Sequence, residues 1–209
     1  WGFSYQDCLY AAPYISLADP EWAVEEAESL ISRGARVISM VPGPIPIGGD
    51  GAQSPGHPDY DRFWAVVADA GITVAFHSGD SGYRRHLELW GGNSRFKALD
   101  FDPLITCLSA TPIHDTFAAM ICHGVFERHP KLRVASIECG SDWVPALVAK
   151  LKKVYGQMAN DFQRDPVEQL RAEERLAHPN IEVRVQLARF HISGQSLARD
   201  LRARPAPDD

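Results

Sequence analysis

Long apolar runs are missing from this sequence: nothing in it approaches the about 20 consecutive apolar residues that a bilayer-spanning helix needs. No basic segment followed by an apolar stretch opens it either, so the reading is a cytoplasmic protein with no membrane partner. Paired cysteines are missing as well. Cys8, Cys107, Cys122 and Cys139 are scattered without a CxxC spacing in a chain of 209 residues that needs no disulfide staples, and reduced thiols are expected. Positive charge is not in excess: 21 Lys and Arg stand against 27 Asp and Glu, a net charge of -6, which argues against nucleic acid as a partner. No internal repeat is visible and no linker precedes residue 160. What remains is ordinary globular composition, 45% hydrophobic and 23% charged, with material for one large core.

The chain is organised around residues 71–80. Ile72, Thr73, Val74, Ala75 and Phe76 are β-branched or apolar without alternation, which suits a parallel strand covered on both faces, and His77 closes it. A second such run, residues 132–137, closes on Glu138, Cys139 and Gly140. Two strands therefore bring a metal-competent side chain to one edge, and in a parallel α/β barrel that edge carries the chemistry.

In chain order, residues 8–16 read as a short strand weakened by Pro13. Asp19 caps a helix that Pro20 and Glu21 open and whose apolar stripe is Ala23, Ala27, Leu30 and Ile31, up to Gly34. A strand over 35–41 follows, then a Pro/Gly-rich loop to Pro58 and a helix over 58–70. Residues 78–111 show no clear element and read as a lid loop. Thr111 and Pro112 open a helix with Ile113, Phe117, Met120, Ile121 and Val125 inward, ended by Pro130. Asp142 caps the last helix, which turns Trp143, Val144, Leu147, Val148, Leu151, Val154 and Tyr155 inward. Four strands starting near residues 9, 36, 72 and 133 thus alternate with four helices, predicting a parallel sheet with helices outside it. The chain opens on Trp1 and reaches a strand by about residue 8, which reads as a start in mid-protein. Residues 171–209, with seven arginines and no lysine, read as a divergent tail, through a change of reading frame or ordinary divergence, beside a barrel domain over 1–170.

Three segments carry a resemblance. Pro58-Asp59-Tyr60-Asp61-Arg62-Phe63-Trp64, Val74-Ala75-Phe76-His77-Ser78-Gly79-Asp80-Ser81-Gly82-Tyr83 and His123-Gly124-Val125-Phe126-Glu127-Arg128-His129-Pro130-Lys131-Leu132-Arg133 resemble the amidohydrolase-related family, the metal-dependent hydrolase and decarboxylase branch of the amidohydrolase barrels. The resemblance implies a (β/α)8 TIM-barrel type of fold, here an incomplete barrel of about strands three to six. It also implies a divalent metal, zinc before manganese, held by a His-x-His pair on strand one, a histidine on strand five and an aspartate after strand eight. His77 matches the strand-five ligand. Glu138 stands where many members have a histidine at the end of strand six, a departure that occurs in one branch of the family; as a carboxylate at a strand end it is a candidate metal ligand and proton carrier. The sequence contains no His-x-His, and Gly140-Ser141-Asp142-Trp143 lies on the sixth strand, so Asp142 does not inherit the strand-eight role. A catalytic zinc wants about three protein ligands and one open position, and only two are supplied.

Those residues also have plainer readings. His77 serves equally as a strand-end histidine with an ordinary hydrogen bond, and Glu138, expected at a buried strand end, could be answered by an arginine. Asp80, Tyr83, Arg84 and Trp90 lie in the expected lid and are candidate substrate contacts, Arg84 by gripping a carboxylate with two hydrogen bonds. His57, His86, His114, His123, His129, His178 and His191 lack ligand spacing and are expected at the surface. Gly48-Gly49-Asp50-Gly51 lacks the strand-to-helix context of a phosphate loop, and Ser54, Ser78 and Ser141 show no nucleophile elbow. The resulting expectation is a hydrolase or carboxy-lyase of a small carbonyl or carboxylate compound, poorly active in this form for want of ligands. Its rival is a non-catalytic barrel fragment or binding protein that self-associates through exposed strand edges. In geometry, His77 and Glu138 should share one cleft with side-chain atoms about 4 to 8 Å apart, in an unclosed sheet of four to six parallel strands.

Overall fold

The computed structural model describes residues 10–92, 103–108, 111–162 and 165–167; the sequence's expected tail, 171–209, lies outside them. Asp19 accepts a hydrogen bond from the Trp22 N–H at 3.0 Å and starts α1, Pro20–Ser32, in which Pro20 occupies the first turn where its missing N–H costs nothing. Ala23, Val24, Ala27 and Leu30 form its buried stripe. Strand β1, Val37–Met40, comes next. The Pro/Gly-rich stretch is not wholly loop: Ile45–Pro46 (β2) and Ala52–Gln53 (β3) pair antiparallel around Gly48 and Gly49, both at positive φ. A 3-10 turn, Pro58–Tyr60, leads into α2, Asp61–Asp69, and then β4, Thr73–His77.

The expected lid contains two short helices, α3 (Arg84–Leu89) and α4 (Pro103–Leu108). Each is too short to show an apolar stripe, which is why the sequence pattern there was blank. The helix expected from Thr111 to Pro130 is broken in two. It runs as α5, Thr111–Cys122, stops where Gly124 takes φ 70, and resumes as α6, Val125–Arg128. Strand β5, Arg133–Ile137, and α7, Trp143–Gln157, complete the order. Among the described residues no helix is long and apolar enough to cross a membrane.

The main sheet has the order β1-β4-β5, all parallel, with Ser39, Ala75 and Ala135 in one row and His77 opposite Ile137. Among the described residues three full parallel strands are present where four were expected, and the first two residues of the expected first strand lie outside them. The run at residues 13–15 does lie parallel beside β1, with Ser39 N–H donating to Pro13 O at 2.8 Å and Ile15 N–H to Ser39 O at 2.9 Å, but it makes a single bridge. Pro13 has no N–H to give the next rung, so the ladder ends there.

Because successive strand residues face opposite ways, Ile38, Met40, Val74, Phe76 and Val134 enter one core with Phe63, Trp64, Val67, Ile113, Met120, Leu147 and Leu151 from the helices. Each such side chain contributes about 1.5–3 kcal/mol when fully buried. The opposite face carries Ser39, Ala75, His77, Ala135 and Ile137.

One guanidinium fastens the segment before α2 to the end of α6. Arg128 Nε donates to both Asp61 oxygens, at 3.0 and 2.9 Å, while Nη2 reaches Asp61 Oδ1 at 2.9 Å and Gly56 O at 3.1 Å, and Nη1 reaches His123 O. His129 Nε2 adds a contact to Asp61 Oδ1 at 3.2 Å with its side chain only 10% exposed, so this histidine is a joint between elements and not the surface residue expected. Burial works to raise the Asp61 carboxyl, but the hydrogen bonds and charges of Arg128 and His129 outweigh it and hold the group below the usual carboxylate range. His123 joins in: Gly56 N–H donates to Ser54 Oγ, which is also hydrogen-bonded to His123 Nδ1 at 2.8 Å.

Candidate functional site

His77 sits at the C-terminal end of β4 with its Nδ1 2.8 Å from the Ser78 carbonyl oxygen. A carbonyl only accepts, so Nδ1 carries a proton, and the neutral tautomer this contact selects is the one with its lone pair at Nε2. That nitrogen lies 3.5 Å from Glu138 Oε2, with the two side chains 45% and 68% exposed. The two therefore share one edge of the sheet as the sequence implied, slightly closer than expected. Glu138 is not buried, however, and the partner it finds is His77.

The route by which Glu138 gets there is specific. Register places Ile137 beside His77, so continued alternation would send residue 138 to the helix side. Instead Glu138 takes φ 57, the single positive φ of a residue other than glycine among the described residues. The left-handed turn swings its carboxylate back over the sheet end toward His77, at a local cost of about 1–2 kcal/mol. Its surroundings hold it: Ser78 N–H donates to Ile137 O at 3.1 Å, Cys139 Sγ lies 3.2 Å from the same oxygen, and Trp143 Nε1 donates to Gly140 O at 3.2 Å. Behind this edge Phe76, Phe117 and Trp143 pack in sequence, edge-to-face and then tilted, with centroids 6.1 and 5.0 Å apart, so the strand ends rest on an aromatic cluster.

A lone pair and a carboxylate facing each other at 3.5 Å repel unless a proton or a cation lies between them. Ligands on neighbouring corners of a tetrahedral zinc, at about 2.0–2.2 Å from the ion, are about 3.4 Å apart. The pair thus fits as two ligands of one ion, and the Ser78 carbonyl supplies the second contact that orients a metal-binding histidine. Among the described residues no three His, Cys, Asp or Glu side chains gather closely enough to hold an ion.

The remaining candidates surround the loop after β4. Tyr83 donates its hydroxyl to Asp115 Oδ2 at 2.8 Å, and Asp115 Oδ1 is met by His114 Nδ1 at 2.9 Å. Burial, and then the hydrogen bond and charge of Asp115, push the Tyr83 phenol far above its ordinary value. Asp80 Oδ1 accepts from the Gly82 N–H at 3.2 Å. Trp90 is 66% exposed at the end of α3, its ring edge-on to His86 at 6.4 Å. Arg84 begins α3, but its side chain lies outside the described part of the structure. Asp115 and His114 were not singled out together by the sequence, since a contact 32 residues long leaves no periodic trace.

The amidohydrolase family model matches residues 9–178. The chain belongs to the amidohydrolase family. Among solved structures it is similar to an amidohydrolase from Mycobacterium avium subsp. paratuberculosis K-10, with 45% identity and a TM-score of 0.72 over 82% of this chain and 42% of that one. It is more distantly similar to 2,6-dihydroxybenzoate decarboxylase from Rhizobium, at 20% identity and a TM-score of 0.48 over 63% of this chain and 39% of that one. A dihydroxybenzoic acid decarboxylase from Polaromonas sp. JS666, with bound manganese and the inhibitor 2-nitroresorcinol, stands at 17% identity and a TM-score of 0.45 over 61% and 36% of the two chains. No curated protein matches the chain. The chain spans less than half the length of these amidohydrolase and decarboxylase structures. Its parallel sheet and outer helices form an arc of the (β/α)8 amidohydrolase barrel.

Proposed function

We propose that the C-terminal sheet edge of this chain is part of a metal-dependent hydrolase or carboxy-lyase site for a small carbonyl or carboxylate compound. The observation that carries the reading is the His77 and Glu138 pair, with Nε2 and Oε2 at 3.5 Å and the far ring nitrogen pinned on Ser78. These two residues would hold a divalent ion, zinc before manganese. Such an ion, when bound, polarises a substrate oxygen or acidifies a water. His77 contributes the Nε2 lone pair in a fixed tautomer. Glu138, exposed at the sheet edge, would carry a proton to or from substrate at its carboxylate oxygens. Tyr83 remains a phenol, Arg84 would grip a substrate carboxylate, and Trp90 would cover it from the loop side. Free Cys107 and Cys122 suit a reducing, cytoplasmic setting.

A second reading, a binding protein on the barrel scaffold, is favoured by the want of a third ligand near the pair among the described residues. Equilibrium dialysis against zinc and manganese separates the two. The chain should bind one ion, and His77→Ala and Glu138→Gln should each weaken that binding at least tenfold. A chain that takes up no ion, or variants that bind as well as the parent, would remove the metal reading.

A further inference from the structure

The loop that starts at His77 ends at Tyr83, and it is fastened at three places. At its start, Ser78 N–H donates to Ile137 O of β5 at 3.1 Å. At its middle it packs against the segment leaving β1: a Cβ added to Gly79 would come within 3.1 Å of Val41 Cγ2, and one added to Gly43 within 2.8 Å of Ser81 O. At its end the Tyr83 hydroxyl is held by Asp115 of α5 at 2.8 Å, and Asp115 is itself braced by His114 at 2.9 Å. Ser81 Oγ to Gly79 O and Gly82 N–H to Asp80 Oδ1, both at 3.2 Å, tighten the span between. The first two fastenings tie the loop to the strand ends. The third ties it to the helix layer.

This loop also contains the carbonyl that fixes the His77 ring. Ser78 O accepts from His77 Nδ1, so a loop free to rotate its peptide planes would lose the acceptor and with it the preference for a proton at Nδ1. We infer that Asp115 is a positioning residue for His77: by holding the Tyr83 phenol it keeps the 78–83 loop, and hence the Ser78 carbonyl, in the one orientation that leaves the His77 lone pair at Nε2. Asp115 acts through Tyr83 and touches no substrate. The inference rests on the reading of His77 as a ligand only in its consequence for metal, since the effect on the ring is present without an ion.

The experiment uses the full chain free of metal, with Tyr83→Phe, which deletes one hydroxyl, and with Asp115→Ala and Asp115→Asn. Two quantities are read: amide hydrogen exchange over residues 78–83, and the His77 tautomer from long-range proton-nitrogen NMR. Tyr83→Phe and Asp115→Ala should speed exchange in the loop about tenfold, leave exchange in β4 unchanged, and turn His77 from one tautomer into a mixture. Asp115→Asn should keep most of the parent behaviour, because its amide oxygen still accepts the Tyr83 proton. Unaltered loop exchange in Tyr83→Phe, or a His77 ring indifferent to it, overturns the inference. Zinc dialysis on the same proteins then gives a separate result. Parent protein that binds no zinc counts against the metal site alone, whereas parent and Tyr83→Phe proteins binding zinc equally well count against the positioning role.

Discussion

Glu138 meets His77 at 3.5 Å across the β4–β5 pair although register and strand alternation point residue 138 the other way. The contact exists because a glutamate occupies backbone space that favours glycine, at φ 57. The costly conformation brings a carboxylate to a histidine at the C-terminal edge of the sheet, and under the proposed function that contact is what the strain serves.

Replacing Glu138 separates the two. Glu138→Gly should melt at or slightly above the parent temperature, because relief of about 1 kcal/mol of strain roughly offsets the extra chain entropy of glycine. Glu138→Ala keeps the strain without the added chain entropy and should melt close to Glu138→Gly, and both should lose metal. Thermal melts of the three proteins decide it; a Gly variant about 1 kcal/mol less stable than the Ala variant would mean the backbone there is unstrained.

Gly56 has no room for a side chain, since an added Cβ would lie 2.7 Å from His123 Cβ and 3.2 Å from Ala119 O. Gly56→Ala should cost about 1–3 kcal/mol, seen as a lower urea midpoint at an unchanged slope.

Asp61 supplies a pH signature. Its folded carboxyl is held below the usual range, so it contributes stability that is complete above the unfolded value of about 3.9 and is lost as pH falls through the lower folded value. Parent protein should therefore exceed Asp61→Asn by about 1.5–3 kcal/mol near neutrality, and urea titrations below about pH 4 should find that gap closing. A gap that does not change with pH would assign the effect to shape rather than charge.

Ser136 lies buried on β5 with a hydroxyl that makes no hydrogen bond among the described residues. Ser136→Ala removes that uncompensated group and should raise stability by about 1 kcal/mol, a shift of a few degrees in a thermal melt.

The sequence pattern exposed the parts of this fold that depend on neighbours along the chain. The non-alternating runs of β4 and β5 reveal strands buried on both faces, and Asp19 with Pro20 announces α1 within one turn. What escaped depends on partners far away or on elements too short for a period to develop. The hairpin of β2 and β3 has two residues per strand, α3 and α4 have six each, and Gly124 looks the same in a continuous helix as in a broken one. His77 and Glu138 were visible because strand ends can be counted. The hold of Asp115 on Tyr83, and that of Arg128 on Asp61, were not, because two charged surface residues 67 apart carry no mark of having met.

The Arg128 clamp also bears on the order in which the sheet can assemble. Pairing β4 with β5 joins Thr73 to Arg133 and, in an open chain, closes a loop of sixty residues. Asp61 stands twelve residues before Thr73, and Arg128 five before Arg133. Once guanidinium and carboxylate are joined, the two strands hang as short arms from one knot, and their search for register becomes a local event with a much smaller entropy of closure.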